Sequence, residues 1–255
     1  MIRMGGPAEL AEPMIHSRLE EAEASRAAAC AALERERKAI GEIQQWLLPA
    51  ALPEIPGFEM SPYYRASEQA GGDYYDVVPL VDGKWGFVMA DVSGHGTPAA
   101  VIMAVLRTLI HTNLPHTRDK PARVFLDAVN QIMSSTYLRD GRFVTVWCAM
   151  LDPVSRRLTY ASAGHNPPRL LRNGSVVELD AAGGFPLGID PAMTYEEVTI
   201  TLEPDDLLVI YTDGITEAMR QGHDGRSMFG TERLDQVLIE GGPIPAHECT
   251  KRVIQ

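Results

Sequence analysis

The sequence predicts an α+β fold, a mixture of helices and antiparallel strands that follows one long N-terminal helix. Three observations lead to this prediction. Residues 15–48 are rich in Ala, Glu and Arg and contain no Pro, which favours a continuous helix. Asp82 and Gly83 stand between two runs of aromatic and β-branched residues, a pattern typical of an antiparallel hairpin. Apolar residues after Thr97 recur at helical spacing.

The predicted helix divides the chain into three parts. We expect residues 1–14 to be a disordered tail, residues 15–49 a helical linker, and residues 50–255 a folded domain. The linker carries two seams of a heptad-like pattern, with Leu19, Leu33, Ile40 and Leu47 on one seam and Ala22, Ala29 and Ile43 on the other. Arg26 and Glu36 interrupt the seams. Two interpretations stay open, a dimeric coiled coil and a helix that packs on its own domain.

The elements of the folded domain follow in order from local patterns. The hairpin is predicted to pair residues 75–81 with residues 85–90. Thr97 is the expected N-cap and Pro98 the expected first-turn residue of a helix over residues 99–112. The expected core residues of this helix are Val101, Ile102, Val105, Leu106, Leu109 and Ile110. Further elements are predicted as a helix at 121–138, strands at 143–151, 158–163, 168–179 with an Asn173-Gly174 turn, and 195–202, and helices at 231–240 and Ala246–Ile254.

Two carboxylates flank the predicted hairpin. Asp73 precedes the first strand and Asp91 follows the second, so an antiparallel hairpin returns both to the same end of the sheet. Glycines beside both residues let the backbone approach closely, which makes a carbonyl available as a further ligand. Oxygen ligands of this kind suit Mg²⁺ or Mn²⁺. The alternative is a pair of ordinary turns, in which Asp and Gly are common.

A third carboxylate follows a later apolar run. Residues 207–211 are continuously apolar or aromatic, which predicts a buried strand whose end presents Asp213. This carboxylate could complete a set of metal ligands. Alternatively, Asp213 is a turn or N-cap residue of a helix that begins near Ile215.

Five motifs, taken together, resemble a known family. They are Gly71-Gly72-Asp73-Tyr74-Tyr75-Asp76, Asp91-Val92-Ser93-Gly94-His95-Gly96, Ala163-Gly164-His165-Asn166-Pro167-Pro168, Pro186-Leu187-Gly188 and Tyr211-Thr212-Asp213-Gly214-Ile215-Thr216-Glu217-Ala218. Their order resembles that of bacterial SpoIIE-like and RsbU-like phosphatases, which belong to the metal-dependent PPM class of serine/threonine phosphatases. The resemblance covers about residues 43–238.

This resemblance implies a fold, a metal centre and roles for individual residues. The fold is an αββα four-layer sandwich, two packed antiparallel β-sheets flanked by helices, and residues 50–255 are then a PPM phosphatase domain. The centre holds two Mn²⁺ or Mg²⁺ ions at one end of the sandwich. By resemblance, Asp91 bridges both ions, the carbonyl of Val92 binds one of them, Asp73 is a nearby ligand, and Asp213 binds the other. Asp73, Asp91 and Asp213 are therefore the expected catalytic residues.

The chain departs from the family pattern near its end. Related sequences close with an Asp-Asp pair, a Thr and an apolar strand, and the pair supplies a further metal ligand. After Asp213 this sequence contains only Asp224 and Asp235 as aspartates, and neither has that setting. We therefore expect that the domain lacks its C-terminal end or that one metal site is impaired. Loss of the terminal strand would also expose a sheet edge.

The implied reaction is hydrolysis of phosphoserine or phosphothreonine on a regulatory protein. By resemblance, the substrate is a phosphorylated STAS-domain protein, an anti-sigma-factor antagonist in a partner-switching pathway. One alternative is a binding or scaffold module with the same fold and an incomplete site. Another is an enzyme that hydrolyses a small phosphate ester, because the site motifs do not define the leaving group.

Composition excludes several classes of function. A net charge of −11 argues against nucleic acid as a partner and against an acidic membrane surface. No apolar run approaches the length of about 20 residues that spans a bilayer, so we expect a cytoplasmic protein. Cys30, Cys148 and Cys249 are too widely spaced for a disulfide framework or a zinc site and are expected to be buried apolar residues.

Three histidines invite a functional interpretation. His95 could contact a phosphate or donate a proton to the leaving oxygen, or it could be an exposed loop residue. His165 is expected in a hydrogen-bonded turn rather than in catalysis. His111 lies near the end of a predicted helix, where it would interact with the terminal carbonyls.

Overall fold

The computed structural model describes residues 7–66, 69–116, 121–219 and 227–255, with the side chains of 7–15 and 116 left aside. Its strands form two antiparallel sheets. The larger has five strands in the order β1 (Tyr74–Pro79), β2 (Trp85–Val92), β3 (Val144–Asp152), β4 (Arg157–Ala163) and β7 (Glu197–Thr201). The smaller has three strands in the order β6 (Ser175–Glu178), β5 (Arg169–Arg172) and β8 (Leu207–Val209). Helices cover the outer face of each sheet. The predicted αββα four-layer sandwich is confirmed.

Helix α1 spans Pro7–Leu47 and is 41 residues long. It begins inside the predicted disordered tail, because Pro suits the first helical turn and the next residues, Ala8 and Glu9, are good helix formers. From His16 to Ala39 its side chains are exposed, apart from a half-buried residue at 32. The hydrogen bonds that the structure records between the helix and its own domain lie in the C-terminal third of the helix, from Glu34 onward. There the side chain of Arg107 donates to the carbonyl of Leu47 (2.6 Å).

The predicted hairpin is confirmed, with shifted strand ends. β1 (Tyr74–Pro79) pairs with β2 (Trp85–Val92), and the register places Tyr74 opposite Ala90. The turn is longer than a two-residue hairpin loop, since residues 81–83 form a short 3₁₀ turn. Asp82 and Gly83 both have positive φ there, which Asp and Gly tolerate better than most residues.

One helical layer packs against the larger sheet. It consists of α2 (Thr97–Asn113) and α3 (Ala122–Ile132), and a π-helical turn over Met133–Tyr137 extends α3. Alternation along β3 (Val144–Asp152) explains the packing, because Val144, Val146 and Cys148 face these helices. The expected N-cap Thr97 is wrong, since the cap is Gly96, whose positive φ of 70° lets the backbone turn into the helix. Val101 was predicted to lie in the core, but it is 56% exposed, so this prediction is wrong.

The other face of β3 lines the space between the two sheets. Trp147, Ala149 and Leu151 pack there against β4 (Arg157–Ala163) and β5 (Arg169–Arg172). The rings of Trp147 and Tyr160 stack with centroids 5.9 Å apart. β7 (Glu197–Thr201) closes one side of the larger sheet by pairing with β4. This inner layer fixes how the two sheets lie on each other.

The smaller sheet carries the second helical layer. β6 (Ser175–Glu178) pairs with β5 across an Asn173-Gly174 turn, as predicted, and β8 (Leu207–Val209) pairs with the opposite edge of β5. After the short helix α4 (Asp213–Thr216), helices α5 (Gly230–Gly241) and α6 (Ala246–Ile254) cover the outer face. Asp224 lies outside the described residues.

β8 differs from its prediction. It was expected to be a buried strand, but its residues are half-buried and it covers only the beginning of the apolar run. The reason is its place in the sheet: within the described part of the chain it pairs with β5 alone and is an end strand. Among the described residues, the other edge of β8 therefore has no strand partner.

The cysteines and the length of the apolar segments can be compared with their predictions. Cys148 and Cys249 are buried as expected, whereas Cys30 is exposed on α1. Among the helices that the structure describes, none is long and apolar enough to cross a membrane.

Gly41 lies where α1 packs closely against the backbone of Gln69. A Cβ atom at this position would lie 1.9 Å from the carbonyl oxygen of Gln69. We expect Gly41→Ala to lower the melting temperature in calorimetry, although Gly to Ala in a helix ordinarily stabilises by up to about 1 kcal/mol. Ala39→Gly is the control, because it changes helix propensity at an exposed site. A higher melting temperature for Gly41→Ala would contradict the close approach.

Candidate metal centre

Asp73 and Asp91 lie side by side at one end of the larger sheet. Asp73 immediately precedes β1, and Asp91 is the residue next to Ala90 on β2, so the hairpin register sets the two carboxylates opposite each other. Both side chains are half-buried. The structure therefore brings these two predicted site residues together, as the hairpin pattern indicates.

The smaller sheet delivers a second group to the same place. After β8 the chain turns into α4, whose N-cap is Thr212 and whose first residue is Asp213. The Thr212 hydroxyl donates to Oδ2 of Asp73 at 3.1 Å, across 139 residues of sequence. Asp213 is exposed and near enough for its charge to act on both Asp73 and Asp91. Asp213 therefore lies at the start of a helix, close to the alternative prediction of a turn or N-cap residue. It also lies near the other two carboxylates.

Like charges and burial dominate the electrostatics of this cluster. Burial, followed by the charges of Asp73 and Asp213, raises the pKa of Asp91 well above its usual range. Burial also raises the pKa of Asp73, and the hydrogen bond from Thr212 only partly offsets this effect. Because three carboxylates repel one another here, the cluster favours a positive charge among them.

The backbone of Val92 is packed against the glycine loop that leads to Asp73. A Cβ atom on Gly72 would lie 2.5 Å from the carbonyl oxygen of Val92. Only a glycine fits at this distance, so residue 72 lets the loop and the end of β2 approach. The Val92 carbonyl thus lies beside the loop that leads to Asp73, where the sequence predicts a ligand.

The described residues do not form a finished metal cage. Among them, no three His, Cys, Asp or Glu side chains converge in a geometry that would by itself hold a metal ion. The side chains of Asp73 and Asp91 are in contact. Asp213 is not part of this contact, but its charge raises the pKa of both carboxyl groups. The arrangement suits an ion that keeps several of its waters and takes only a few protein ligands.

Sequence reasoning missed two residues that support this loop. The side-chain amide of Gln44 on α1 binds Gly71 twice: its Oε1 accepts from the Gly71 amide (2.9 Å) and its Nε2 donates to the Gly71 carbonyl (2.6 Å). Gln44 is 4% exposed. Tyr64 lies beside it, and burial together with the charges of Asp73 and Asp91 raises the pKa of Tyr64 to about 12. A lone Gln on a helix carries no sequence signal of this role.

The three histidines differ in how their positions agree with the predictions. His165 is buried, with Nδ1 2.9 Å from the hydroxyl of Thr145 and its amide donating to Ser162 Oγ, so the predicted hydrogen-bonded turn is present. The prediction for His111 is wrong, because its Nε2 lies 2.7 Å from Oδ2 of the buried Asp76 rather than at helix carbonyls. Its side chain reaches across to β1 from the last turn of α2. His95 is exposed in the loop after Asp91.

A cleft of about 1220 Å³ opens beside the carboxylates. It runs between the hairpin of the larger sheet and the end strand β8 of the smaller sheet, and α6 contributes to its wall. Its lining includes Asp73, Tyr75, Phe87, Leu208 and Val253. A group bound there would lie against the candidate centre on one side and apolar side chains on the other.

Comparison with known proteins agrees with this geometry. The family model described as Stage II sporulation protein E (SpoIIE) matches residues 81–255, which include Asp91, Val92 and Asp213. The chain belongs to the SpoIIE family. It is 30% identical over 177 residues to phosphoserine phosphatase RsbU of Bacillus subtilis, and this match covers 69% of the chain and 51% of RsbU. It is 25% identical over 221 residues to protein IcfG of Synechocystis, covering 77% of the chain and 34% of IcfG.

A solved structure supports the fold of this SpoIIE-family chain. The SiaA-PP2C domain of Pseudomonas aeruginosa superposes with a TM-score of 0.74, and the match covers 89% of each chain at 23% identity. By contrast, the chain spans only about a third to a half of the length of IcfG and RsbU. The likeness to SiaA-PP2C therefore concerns the architecture of the domain.

Gln44 offers a test of how α1 supports the loop before Asp73. Gln44→Ala removes both partners of the Gly71 backbone, which typically costs about 1–3 kcal/mol for buried polar groups. We expect weaker Mn²⁺ binding in calorimetry, because the loop that places Asp73 loosens. The neighbouring Gln45→Ala is the control, since Gln45 is exposed. Equal Mn²⁺ affinity in both variants would show that the clamp does not position the loop.

His165 predicts a pH dependence of stability. Burial lowers the pKa of His165 to about 4, and the Tyr211 backbone beside the ring only partly opposes this shift. In the unfolded chain the imidazole of His165 binds a proton below about pH 6.5. In the folded chain the same imidazole stays neutral down to about pH 4. Its contribution to stability is thus complete above about pH 6.5 and decreases as the pH falls toward 4.

Urea unfolding at several pH values measures this effect. Relative to the parent, His165→Gln should be less stable at pH 7 and should lose less stability between about pH 6.5 and 4. The exposed His247→Gln serves as the control, because its side chain is 73% exposed. Parallel pH profiles of the parent and His165→Gln would contradict a neutral buried imidazole.

Proposed function

We propose that this chain is a metal-dependent serine/threonine phosphatase domain. The observation that carries the proposal is the contact of Asp73 with Asp91 at one end of the larger sheet, with Asp213 near enough for its charge to act on both. Such a cluster of like charges is unfavourable unless a cation or protons compensate it. Membership of the SpoIIE family and the likeness to RsbU, which is named a phosphoserine phosphatase, support the same reaction.

The residues present fit divalent cations of the Mn²⁺ or Mg²⁺ type. Carboxylate oxygens and the Val92 carbonyl are hard ligands, and the repulsion within the cluster is relieved by positive charge. Asp73, Asp91, Val92 and Asp213 would hold two such ions. When bound, the ions supply positive charge that favours ionisation of a water and neutralises phosphoryl oxygens.

The protein residues act by position and by charge. Thr212 donates a hydrogen bond to one oxygen of Asp73, which restricts the orientation of this carboxylate. Gln44 holds the backbone that precedes it, and the pairing of β1 with β2 holds Asp91. In this proposal His95, which is exposed in the loop after Asp91, contacts the phosphate or donates a proton to the leaving oxygen. The scaffold thus orients the ligands before a substrate binds.

The proposed substrate is a phosphoserine or phosphothreonine on a STAS-domain anti-sigma-factor antagonist in a partner-switching pathway. This part rests on the resemblance of the motifs to RsbU-like and SpoIIE-like phosphatases. A folded phosphorylated STAS domain should then be dephosphorylated with a higher kcat/KM than an unfolded phosphopeptide of the same sequence. Equal values would favour an enzyme that reads only the phosphorylated residue.

A second candidate is a binding or scaffold module. It is favoured by the absence of a converged metal cage among the described residues. Saturating Mn²⁺ separates the candidates, because a module turns over neither a phosphopeptide nor a chromogenic phosphate ester. Turnover of the ester alone would identify a hydrolase of small phosphate esters.

Asp91→Asn tests the site most directly. We expect phosphatase activity on a phosphoserine peptide to fall by well over about tenfold, because the variant loses the charge that two cations would share. In chelator, the melting temperature should rise above that of the parent, since one of the repelling carboxylates is removed. Mn²⁺ should then raise the melting temperature of the parent but not that of the variant.

Asp180→Asn is the matched control, because Asp180 is exposed and outside the cluster. It should keep the parent's activity and its response to Mn²⁺. If Asp91→Asn kept more than about a tenth of the activity and the same response to Mn²⁺, Asp91 would not be a metal ligand.

A further inference from the structure

His165 lies on the crossover that connects the two sheets. β4 of the larger sheet ends at Ala163, and β5 of the smaller sheet begins at Arg169. His165 is 5% exposed, and its backbone amide donates to Ser162 Oγ at the start of the crossover. The imidazole is therefore buried where the chain passes from one sheet to the other.

One ring nitrogen contacts the strand beside Asp91. Nδ1 of His165 lies 2.9 Å from the hydroxyl of Thr145 on β3. Thr145 is the residue opposite Asp91 in the pairing of β2 with β3, and its hydroxyl lies 3.5 Å from the Asp91 carbonyl. The imidazole is thus held, through one side chain, against the pair of strands that positions Asp91.

The other ring nitrogen faces the segment that carries Asp213. Arg169 pairs with Val209, and the antiparallel direction of β5 and β8 brings the crossover alongside the residues after Val209. The Tyr211 backbone lies beside the imidazole and acts to raise its pKa, which is the effect of an acceptor and identifies the carbonyl. Thr145 occupies Nδ1, so Nε2 is the atom left for this carbonyl.

This second nitrogen is left short of a hydrogen bond. Nε2 of His165 is buried and has no well-aligned partner among the residues that the structure describes. A buried polar atom without a partner is unfavourable, and native structures contain few of them. The Tyr211 carbonyl beside the ring is a group that can accept from Nε2, so a small displacement of its segment toward the ring completes the bond.

The two tautomers of the neutral imidazole are not equivalent at this position. With the proton on Nδ1, the ring donates to Thr145 and turns the lone pair of Nε2 toward the Tyr211 carbonyl, which is repulsive. With the proton on Nε2, the Thr145 hydroxyl donates to Nδ1, and the N–H group points at the carbonyl. The second tautomer therefore lets one neutral ring bridge the two sheets.

Such a bridge completes a circuit of contacts through the candidate centre. Tyr211 immediately precedes Thr212, the N-cap of α4, and Thr212 donates to Asp73. On the other side of the ring, Thr145 lies against the carbonyl of Asp91. Once Nε2 donates to Tyr211, the imidazole joins the start of α4 to the strands that carry the other two carboxylates.

We propose that His165 is a positioning residue whose imidazole bridges the Thr145 hydroxyl and the Tyr211 carbonyl. The bridge sets Asp213 at its distance from Asp91 and thereby the spacing of the metal ligands. This role rests on the proposed function, because it concerns the ions that these carboxylates would hold. The neutral ring adds no positive charge beside the cations, and it acts through Thr145 and Tyr211 alone.

Two substitutions at position 165 separate the reach of the side chain from its burial. Gln extends as far as Nε2 and can still donate to Tyr211, whereas Asn ends near Nδ1 and reaches only Thr145. We expect His165→Asn to weaken Mn²⁺ binding in calorimetry by about tenfold or more. His165→Gln should stay within about threefold of the parent, because it keeps the donor. Equal weakening by both substitutions would refute the bridge.

Thr145→Val tests the other end of the bridge. It keeps the size of the side chain and removes the hydroxyl at Nδ1, so Mn²⁺ binding should weaken by about tenfold, whereas Thr145→Ser should keep most of the affinity. Thr159→Val is the matched control, since the Thr159 hydroxyl bonds that of Thr199 at 2.7 Å in the opposite half of the larger sheet. Thermal unfolding in chelator shows the temperature at which all variants are folded and can be compared.

The tautomer of His165 gives a readout that depends on neither metal nor activity. Proton–nitrogen correlation spectra of the metal-free chain distinguish the two ring nitrogens, and the His165→Gln spectrum identifies their signals. We expect the proton on Nε2 at neutral pH, with Nδ1 as an acceptor. A ring protonated on Nδ1 would overturn the proposal, because Nε2 could not donate to the Tyr211 carbonyl.

Failure of this role and failure of the phosphatase function give different results. If the parent hydrolyses a phosphoserine peptide while His165→Asn and Thr145→Val keep its Mn²⁺ affinity, the function stands and the positioning role is refuted. If the parent binds Mn²⁺ more tightly than both variants but hydrolyses no phosphate ester, the role stands and the function is refuted. A parent that binds no Mn²⁺ would overturn both.

Discussion

The pairing of β1 with β2 is the constraint on which the candidate centre depends. It sets Asp73 opposite Asp91 at the end of the hairpin and holds two repelling carboxylates side by side in a half-buried position. Gly72 permits this approach, because any side chain there would meet the Val92 carbonyl. The apolar layer between the sheets stabilises this arrangement, because Trp147 and Tyr160 of the larger sheet pack in one cluster with Leu170 of the smaller sheet.

A second dependence links the centre to helix α1. The Gln44 amide satisfies both backbone groups of Gly71, and Arg107 binds the carbonyl at the end of the helix. The last turns of α1 are thereby part of the domain. The loop that leads to Asp73 therefore depends on a helix that lies outside the two sheets.

Local sequence patterns predicted most of the helices and strands. The errors lie at positions whose burial or length depends on neighbouring elements in the folded structure. The structure contains both hairpins that were predicted from Asp82-Gly83 and Asn173-Gly174. Residues that tolerate positive φ favour such turns through local interactions alone. Val101 was expected in the core but is exposed, since spacing marks a helical face without stating how wide the buried stripe is. The extent and burial of β8 depend on which strands lie beside it, and no local signal carries that information.

The sequence by itself determined the carboxylates, the glycines and the order of motifs, because turn chemistry and charge are properties of short segments. Only the tertiary structure decided that Thr212 holds Asp73, that Gln44 clamps Gly71, and that His111 meets Asp76. Each of these contacts joins residues far apart in the chain, and side-chain hydrogen bonds of this kind leave no periodic trace. The physical reason is that packing of the layers, rather than local propensity, brings these groups within reach.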